Sequence, residues 1–382
     1  MSGHRSRSDA TAVLLVILCG AAVGAAVGEF PDLHVYRYGG TALIDQWPIY
    51  DTDDPITGYP FTYTPVAAVL LAPLALVPGW LAAAVWTGAS AGCLATTVIL
   101  VRRELGRPTP GWLVAFICLG SLALEPMWQN FAFGQINLIL MLAVLMDLLK
   151  PERRTAGILL GIAAGVKLTP LVFVVLLALA GRRRAAGRAV AAFAGTVVVG
   201  LVAVPGATSY WTERLLDPNR VGPPALAHNQ SVSGTLTRLL GEVPSTTLWL
   251  LVAGPVSVAI VLVAAKSWRN GDRVLGSSLG AMAMLLASPI SWSHHWVWAL
   301  PVGLLLWERS RPAAVLWTTL FAARPVLWPP WGQGREYAWR GFDHVVGNAY
   351  VLAAITIAAV AFVALRRNRE DARSLTAPGP SL

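Results

Sequence analysis

Six short stretches carry polar or charged side chains of kinds that do chemistry. They stand out because the surrounding chain is apolar. The first is FPDLHVYRYGG, in which Asp32 and Tyr36 are one helical turn apart and His34 lies between them. A carboxylate at such a position can act as general base toward a hydroxyl; it can also cap the short helix that Pro31 opens. FTYTP follows, with Tyr63, and then FGQIN, whose Gln135 and Asn137 can position hydroxyls or cap a helix start. In GVKLTP, Lys167 sits inside a long hydrophobic segment just before Pro170. An unpaired ammonium there is costly unless it meets an anion such as a phosphate or snorkels to the interface. HNQS offers Asn229 and Gln230. SPISWSHHWVW offers the adjacent His294 and His295, one able to face a site while the other packs, and Trp292, a flat surface for a sugar ring or a member of an interfacial belt.

The elements that must position these groups are membrane helices. The chain has 382 residues, 55% hydrophobic and 13% charged, with mean hydropathy +0.60. A soluble domain carries about 25% charged residues. The composition excludes a cytosolic enzyme, a disordered chain and a disulfide-built secreted domain. Long unbroken apolar runs also argue against a transmembrane barrel. Hydrophobic stretches fall near 11–28, 64–101, 111–126, 136–149, 155–180, 186–204, 245–265, 274–290, 295–307, 312–328 and 348–366. Breaks at Pro73, Pro78 and Pro170 leave two of them open to splitting, so the expected count is 11–13 spans. The start of the chain resembles a secretory signal, but the spans that follow favour an uncleaved first helix. The expected architecture is all-α: one polytopic bundle over 1–369 and a disordered tail over 370–382.

The net charge of +9 raises the question of a nucleic-acid partner. Its distribution answers it. Of 29 basic residues, 21 fall at the N-terminus, in alternate connections and after the last span. The connections 29–63, 205–243 and 329–347 hold six. This is the pattern of cytoplasmic Lys and Arg enrichment. It predicts cytoplasmic termini, outer loops at 29–63, 205–243 and 329–347, and no nucleic-acid role. All six chemical stretches then fall at or near the outer side. Loop 29–63 holds six carboxylates; of these Asp51, Asp53 and Asp54 form either a solvated turn or a divalent-cation site. Cys19, Cys93 and Cys118 lie in apolar segments and read as packing residues. The polar groups suit an enzyme acting on a lipid-borne anionic substrate at the membrane boundary. A transporter or flippase of a lipid-linked sugar is the competing reading, but no internal repeat is evident.

Taken in order, the six motifs resemble those of the actinobacterial polyprenyl-phosphate-mannose-dependent α-(1→2)-mannosyltransferases of glycosyltransferase family 87. The likeness is nearest to members that extend phosphatidylinositol mannosides and runs from about Asp32 to Trp298. It implies a GT-C membrane fold with short interfacial helices in the first outer loop. It implies a polyprenyl-phosphate-mannose donor, a lipid-anchored mannoside acceptor and inversion at the anomeric carbon. Asp32 becomes the base. Lys167, His294 and His295 become candidates for the donor phosphate. His34, Tyr36, Tyr63, Gln135, Asn137, Asn229, Gln230 and Trp292 become candidates for substrate contact. Many GT-C enzymes carry a paired acidic motif where this chain has a single Asp followed by Leu and His, which favours chemistry without a metal or other cofactor. Branching enzymes of lipomannan and lipoarabinomannan share the donor, so the motifs leave the acceptor open.

Overall fold

The computed structural model describes residues 2–215 and 217–376. The helices are α1 (Ser2–Val27), α2 (Pro31–Ile44), α3 (Pro65–Leu71), α4 (Gly79–Glu104), α5 (Gly111–Ser121), α6 (Glu125–Phe133), α7 (Asn137–Leu149), α8 (Ile158–Val166), α9 (Leu171–Leu179), α10 (Arg183–Ala203), α11 (Ala207–Ser209), α12 (Val232–Leu240), α13 (Thr246–Arg269), α14 (Arg273–Ala287), α15 (Ala299–Arg309), α16 (Arg311–Ala323), α17 (Phe342–Gly347) and α18 (Ala349–Thr376). Among the described residues, extended pairing is limited to two isolated bridges.

Among the described residues, five helices are long and apolar enough to cross a membrane: α1, α4, α10, α13 and α18. A sixth span is possible through α5 and α6, which meet at 85°. Fewer helices pass this test of length and apolarity than the 11–13 spans expected, because it takes only unbroken helices. Pro and Gly divide the remaining apolar sequence into helices of 7 to 15 residues, too short to span alone. The stretch 64–101 becomes α3, a 3-10 turn at Ala72–Leu74 and α4; Pro170 separates α8 from α9. The last helix continues to Thr376, into the stretch expected to be disordered; residues 377–382 lie outside the described residues. Large side chains such as Leu15, Phe116, Val202, Leu251 and Leu316 stand exposed on the outer helices, as a lipid-facing surface requires.

The basic connections gather at one end. Arg102 and Arg107 pair with Glu308, Glu152 pairs with Arg182 and Arg273, and Arg309 bonds to Asp272. At the other end, Arg214 in the 205–243 connection pairs with Asp51, and Arg220 donates to the Thr62 carbonyl. The chain is therefore a multi-pass membrane protein with chemically distinct ends. Close helix packing sets the depth of the site. At Gly165 an added Cβ would come within 2.1 Å of Thr196 Oγ1, so α8 lies directly on α10.

Candidate functional site

Helix α2 starts at Pro31, whose missing N–H is no loss at a helix start. Phe30 is the N-cap and makes no side-chain cap bond, which sets aside capping as the role of Asp32. Asp32 stands instead in the first turn, where the helix dipole favours its charge. Tyr36 lies on the same face. His34 is about 200° round the helix from Asp32 and does not join its face.

The FGQIN motif forms a sharp corner. Helix α6 ends at Gly134, whose φ of +70° suits a residue without Cβ; a Cβ here would also press to 2.8 Å from that of Phe30. The chain then turns into α7 with Gln135 and Asn137 buried beside α2. The GVKLTP motif works differently. Helix α8 stops at Val166 and the backbone becomes extended at Lys167. Thr64, from FTYTP, donates its hydroxyl to the Gly165 carbonyl, satisfying an acceptor that the helix end would leave bare. This bond joins two motifs and aims Lys167 into the bundle.

The side chains meet in one directed network. The Ile136 amide donates to Tyr36 Oη at 3.2 Å, Tyr36 to Tyr63 at 2.9 Å, and Tyr63 to Gln135 Oε1 at 3.3 Å. Asn137 Nδ2 also donates to Gln135 Oε1, at 3.3 Å. With that oxygen occupied, the Gln135 amide is left to face the Asp32 carboxylate, whose ionised form it favours. On the other side, Lys167 Nζ donates to Asn137 Oδ1 at 3.3 Å and to His295 Nε2 at 2.9 Å. An ammonium has no lone pair, so Nε2 of His295 accepts and its proton resides on Nδ1. Lys167 also lies 5.7 Å from the centre of the Tyr63 ring. Its charge is felt at Asp32, which supplies the acidic partner absent from its own segment.

Electrostatics follow from burial. Loss of water raises the Asp32 carboxyl to about 6, against the downward pull of the Gln135 bond and the Lys167 charge. Burial, and next the nearby Asp32 charge, push the Tyr63 phenol upward, so it stays neutral as a donor. Lys167, His295, Asn137, Thr169 and Ser291 form the polar part of a narrow cleft. Leu140, Met141, Phe173, Met284 and Trp298 line its apolar part.

The remaining candidates are placed elsewhere. His294 packs: its ring lies edge-on to Phe133 at 5.6 Å, and its backbone carbonyl accepts from Asn137 at 3.1 Å. Asn229 is fully buried, donating to the carbonyls of Pro224 and Pro289 and accepting from the Ser291 amide. Gln230 donates to the carbonyls of Ala227 and Gly347. Both amides hold loops together and do not join the Asp32–Lys167 network. The Trp292 backbone bridges Asn229, and its ring lies against Gly222. Asp54 is used within its own turn, accepting from Thr57 N and Oγ1.

A second buried cluster escaped sequence reasoning. Glu125, fully enclosed, accepts from Tyr350 at 3.3 Å and lies 3.8 Å from His228, which in turn contacts Ser293 at 3.0 Å. The available signal was an acid at the edge of an apolar run, beside Pro126.

The family model described as Glycosyltransferase family 87 matches residues 61–289. The chain is 34% identical to a Mycobacterium tuberculosis protein named polyprenol-phosphate-mannose-dependent alpha-(1-2)-phosphatidylinositol pentamannoside mannosyltransferase, over 95% of this chain and 91% of that one. It is 35% identical to a Mycolicibacterium smegmatis protein named polyprenol-phosphate-mannose-dependent alpha-(1-2)-phosphatidylinositol mannoside mannosyltransferase, over 82% of each. No solved structure matches the chain. With a family match across more than half its length and full-length relatives of the same kind, this membrane protein belongs to glycosyltransferase family 87.

Proposed function

We propose that this protein transfers mannose from polyprenyl-phosphate-mannose to a phosphatidylinositol mannoside, in α-(1→2) linkage and with inversion, on the extracytoplasmic face of the plasma membrane. Both termini are cytoplasmic in this reading, and the bundle is of the GT-C type. The observation that carries it is the separation of a half-buried acid from a lysine ammonium, held by a neutral histidine, by one amide bridge. Asp32 stands on one side of Gln135–Asn137, and Lys167–His295 stands on the other, at a cleft with apolar walls. The names of the relatives support the donor, the linkage and the acceptor class. The gathering of basic loops at the opposite end supports the orientation.

The acceptor hydroxyl gives its proton to Asp32 while its oxygen bonds to the anomeric carbon. The bond from that carbon to the phosphate oxygen breaks, and its electron pair leaves with the polyprenyl phosphate. Lys167, held in place by Nε2 of His295, meets the growing phosphate charge. A phosphate leaves readily without a proton, so this chemistry asks for one carboxylate where glycoside hydrolysis asks for two. Asp32 returns its proton to water after product leaves.

The test is product analysis. Membranes containing the protein are incubated with labelled donor and a panel of phosphatidylinositol mannosides and lipomannan, and the new linkage is mapped. An α-(1→2)-mannosyl phosphatidylinositol mannoside is expected. Transfer to lipomannan alone, or movement of labelled lipid across a bilayer with no glycoside formed, overturns the reading.

A further inference from the structure

The HNQS loop and the last outer loop meet at one buried carboxylate. Glu336 is 1% exposed, and its Oε1 accepts from the Gly332 amide at 2.7 Å and the Ala227 amide at 3.2 Å. The residues next to those amides are Trp331 and His228. The clamp brings their rings to 5.3 Å between centres, nearly perpendicular. Trp331 is held again from the neighbouring residue, since the Pro330 carbonyl accepts from Trp339 Nε1 at 2.6 Å. His228 is held from behind: its Nδ1 faces Ser293 Oγ and the enclosed Glu125 carboxylate. With Nδ1 committed, Nε2 is the ring nitrogen left to a ligand, and the side chain keeps 18% of its exposure. Trp331 stays 39% exposed. A tryptophan that served only as an interfacial anchor would need neither the clamp nor an oriented imidazole beside it.

Place in the fold gives the pair its meaning. The 3-10 turn Ser293–Trp298 carries Ser293 against His228 and, two residues on, His295 against Lys167. Two residues of such a turn advance about 4 Å. The His228–Trp331 pair and the Lys167–His295 pair are therefore anchored on one short turn. An uncommitted imidazole nitrogen next to a partly exposed indole matches a sugar: one hydrogen-bonds a hydroxyl, the other covers the apolar ring face.

We propose that His228 and Trp331 form a subsite for an acceptor mannose adjoining the residue that is extended, with Glu125, Ser293 and Glu336 as positioning residues. This rests on the mannosyl-transfer reading above. The subsite selects acceptors by length, engaging an oligomannoside and leaving a single mannoside untouched.

Two measurements test it on the full-length protein in detergent. In saturation-transfer NMR, α-linked mannotriose is expected to receive saturation from the parent. The signal should fall severalfold in Trp331→Ala and His228→Gln, and less in Trp331→Phe. Methyl α-mannoside should behave alike in all four. In steady-state transfer, Trp331→Ala should raise KM for an oligomannoside lipid about tenfold, with KM for the donor unchanged. Equal signals and equal acceptor KM in parent and Trp331→Ala overturn the subsite while leaving the transferase reading intact. A matching rise in donor KM, or an equal loss on the single mannoside, also overturns it, because the loop would then be general scaffold. Mannotriose binding that depends on Trp331, without transfer to any mannoside, upholds the subsite and removes the proposed reaction. Absence of both removes both.

Discussion

Two buried polar regions lie side by side in this protein and are wired in opposite ways. In the Asp32–Lys167 region, side chains bond to side chains: Tyr36 to Tyr63, Tyr63 to Gln135, Asn137 to Gln135, Lys167 to Asn137 and His295. Around the HNQS loop, side chains bond chiefly to backbone. Arg238, 1% exposed, donates to the carbonyls of Ala225, Leu226 and Asn229 and to the Asn348 side chain. Asn229 and Gln230 also spend their donors on carbonyls. Backbone bonding fixes loop shape and leaves those side chains little for a ligand; the loop they hold presents His228 instead. Side-chain bonding beside a cleft keeps charges oriented where a ligand can replace them. Burial of polar residues alone does not distinguish a site from a scaffold; the partner does.

Variants can break or sharpen this contrast. The largest effect is expected from Asp32→Asn. Transfer should fall about 10³-fold, in the range that a positioned base contributes. The protein should melt no lower. Burial lifts the carboxyl to about 6, so its ionised form opposes folding at neutral pH, and the neutral amide removes that penalty. Full activity in this variant would take Asp32 out of the mechanism. Next is Lys167→Met, with a loss on the order of 10²-fold in kcat/KM for the donor, consistent with removal of a charge-assisted contact. Equal donor affinity in parent and variant would sink the phosphate role.

Arg238→Met tests the other region. It removes a shared donor from the carbonyls of Ala225, Leu226 and Asn229 and from Asn348 Oδ1, though Leu226 keeps the Asn229 amide and Asn348 keeps the Thr235 hydroxyl, so a loss of about 2 kcal/mol is expected. Thermal unfolding would read it, while activity per folded molecule stays within twofold. A selective loss of kcat would erase the distinction between the regions. The pH dependence should be milder still. Asp32 acts ionised, so kcat/KM should fall about tenfold per pH unit below about pH 6 and level off above it. An inflection near 4, the ordinary carboxylate value, would mean the carboxyl is open to water. The smallest effect is Tyr36→Phe, a severalfold loss, because it removes only the first side-chain link of the network that orients Gln135.

Much of this arrangement was legible in the chain. The motif around Asp32, the buried Lys167, the break at Pro170, and the division of labour between His294 and His295 all follow from residue type and local spacing. The misassigned residues have a common cause. Asn229 and Gln230 are chemically the same as Gln135 and Asn137, and nothing local separates an amide that meets a carbonyl from one that meets a carboxylate. The count of long helices differs from the expected spans for a related reason. Hydropathy registers apolar length, whereas Pro and Gly decide whether that length is one helix or two. Glu125 and His228 were passed over because each looks ordinary alone and gains its partner from a distant segment.

The sequence by itself determined the solvent, the distribution of charge and the family, because apolarity, charge and motif are properties of residues in their own segments. Only the tertiary structure decided which polar groups meet. Lys167 finds Asp32 through a helix that stops at Val166 and a threonine that holds its end. His228 finds Trp331 through a carboxylate shared by two loops. Those pairings depend on where helices end and how closely they pack, and no single segment contains that information.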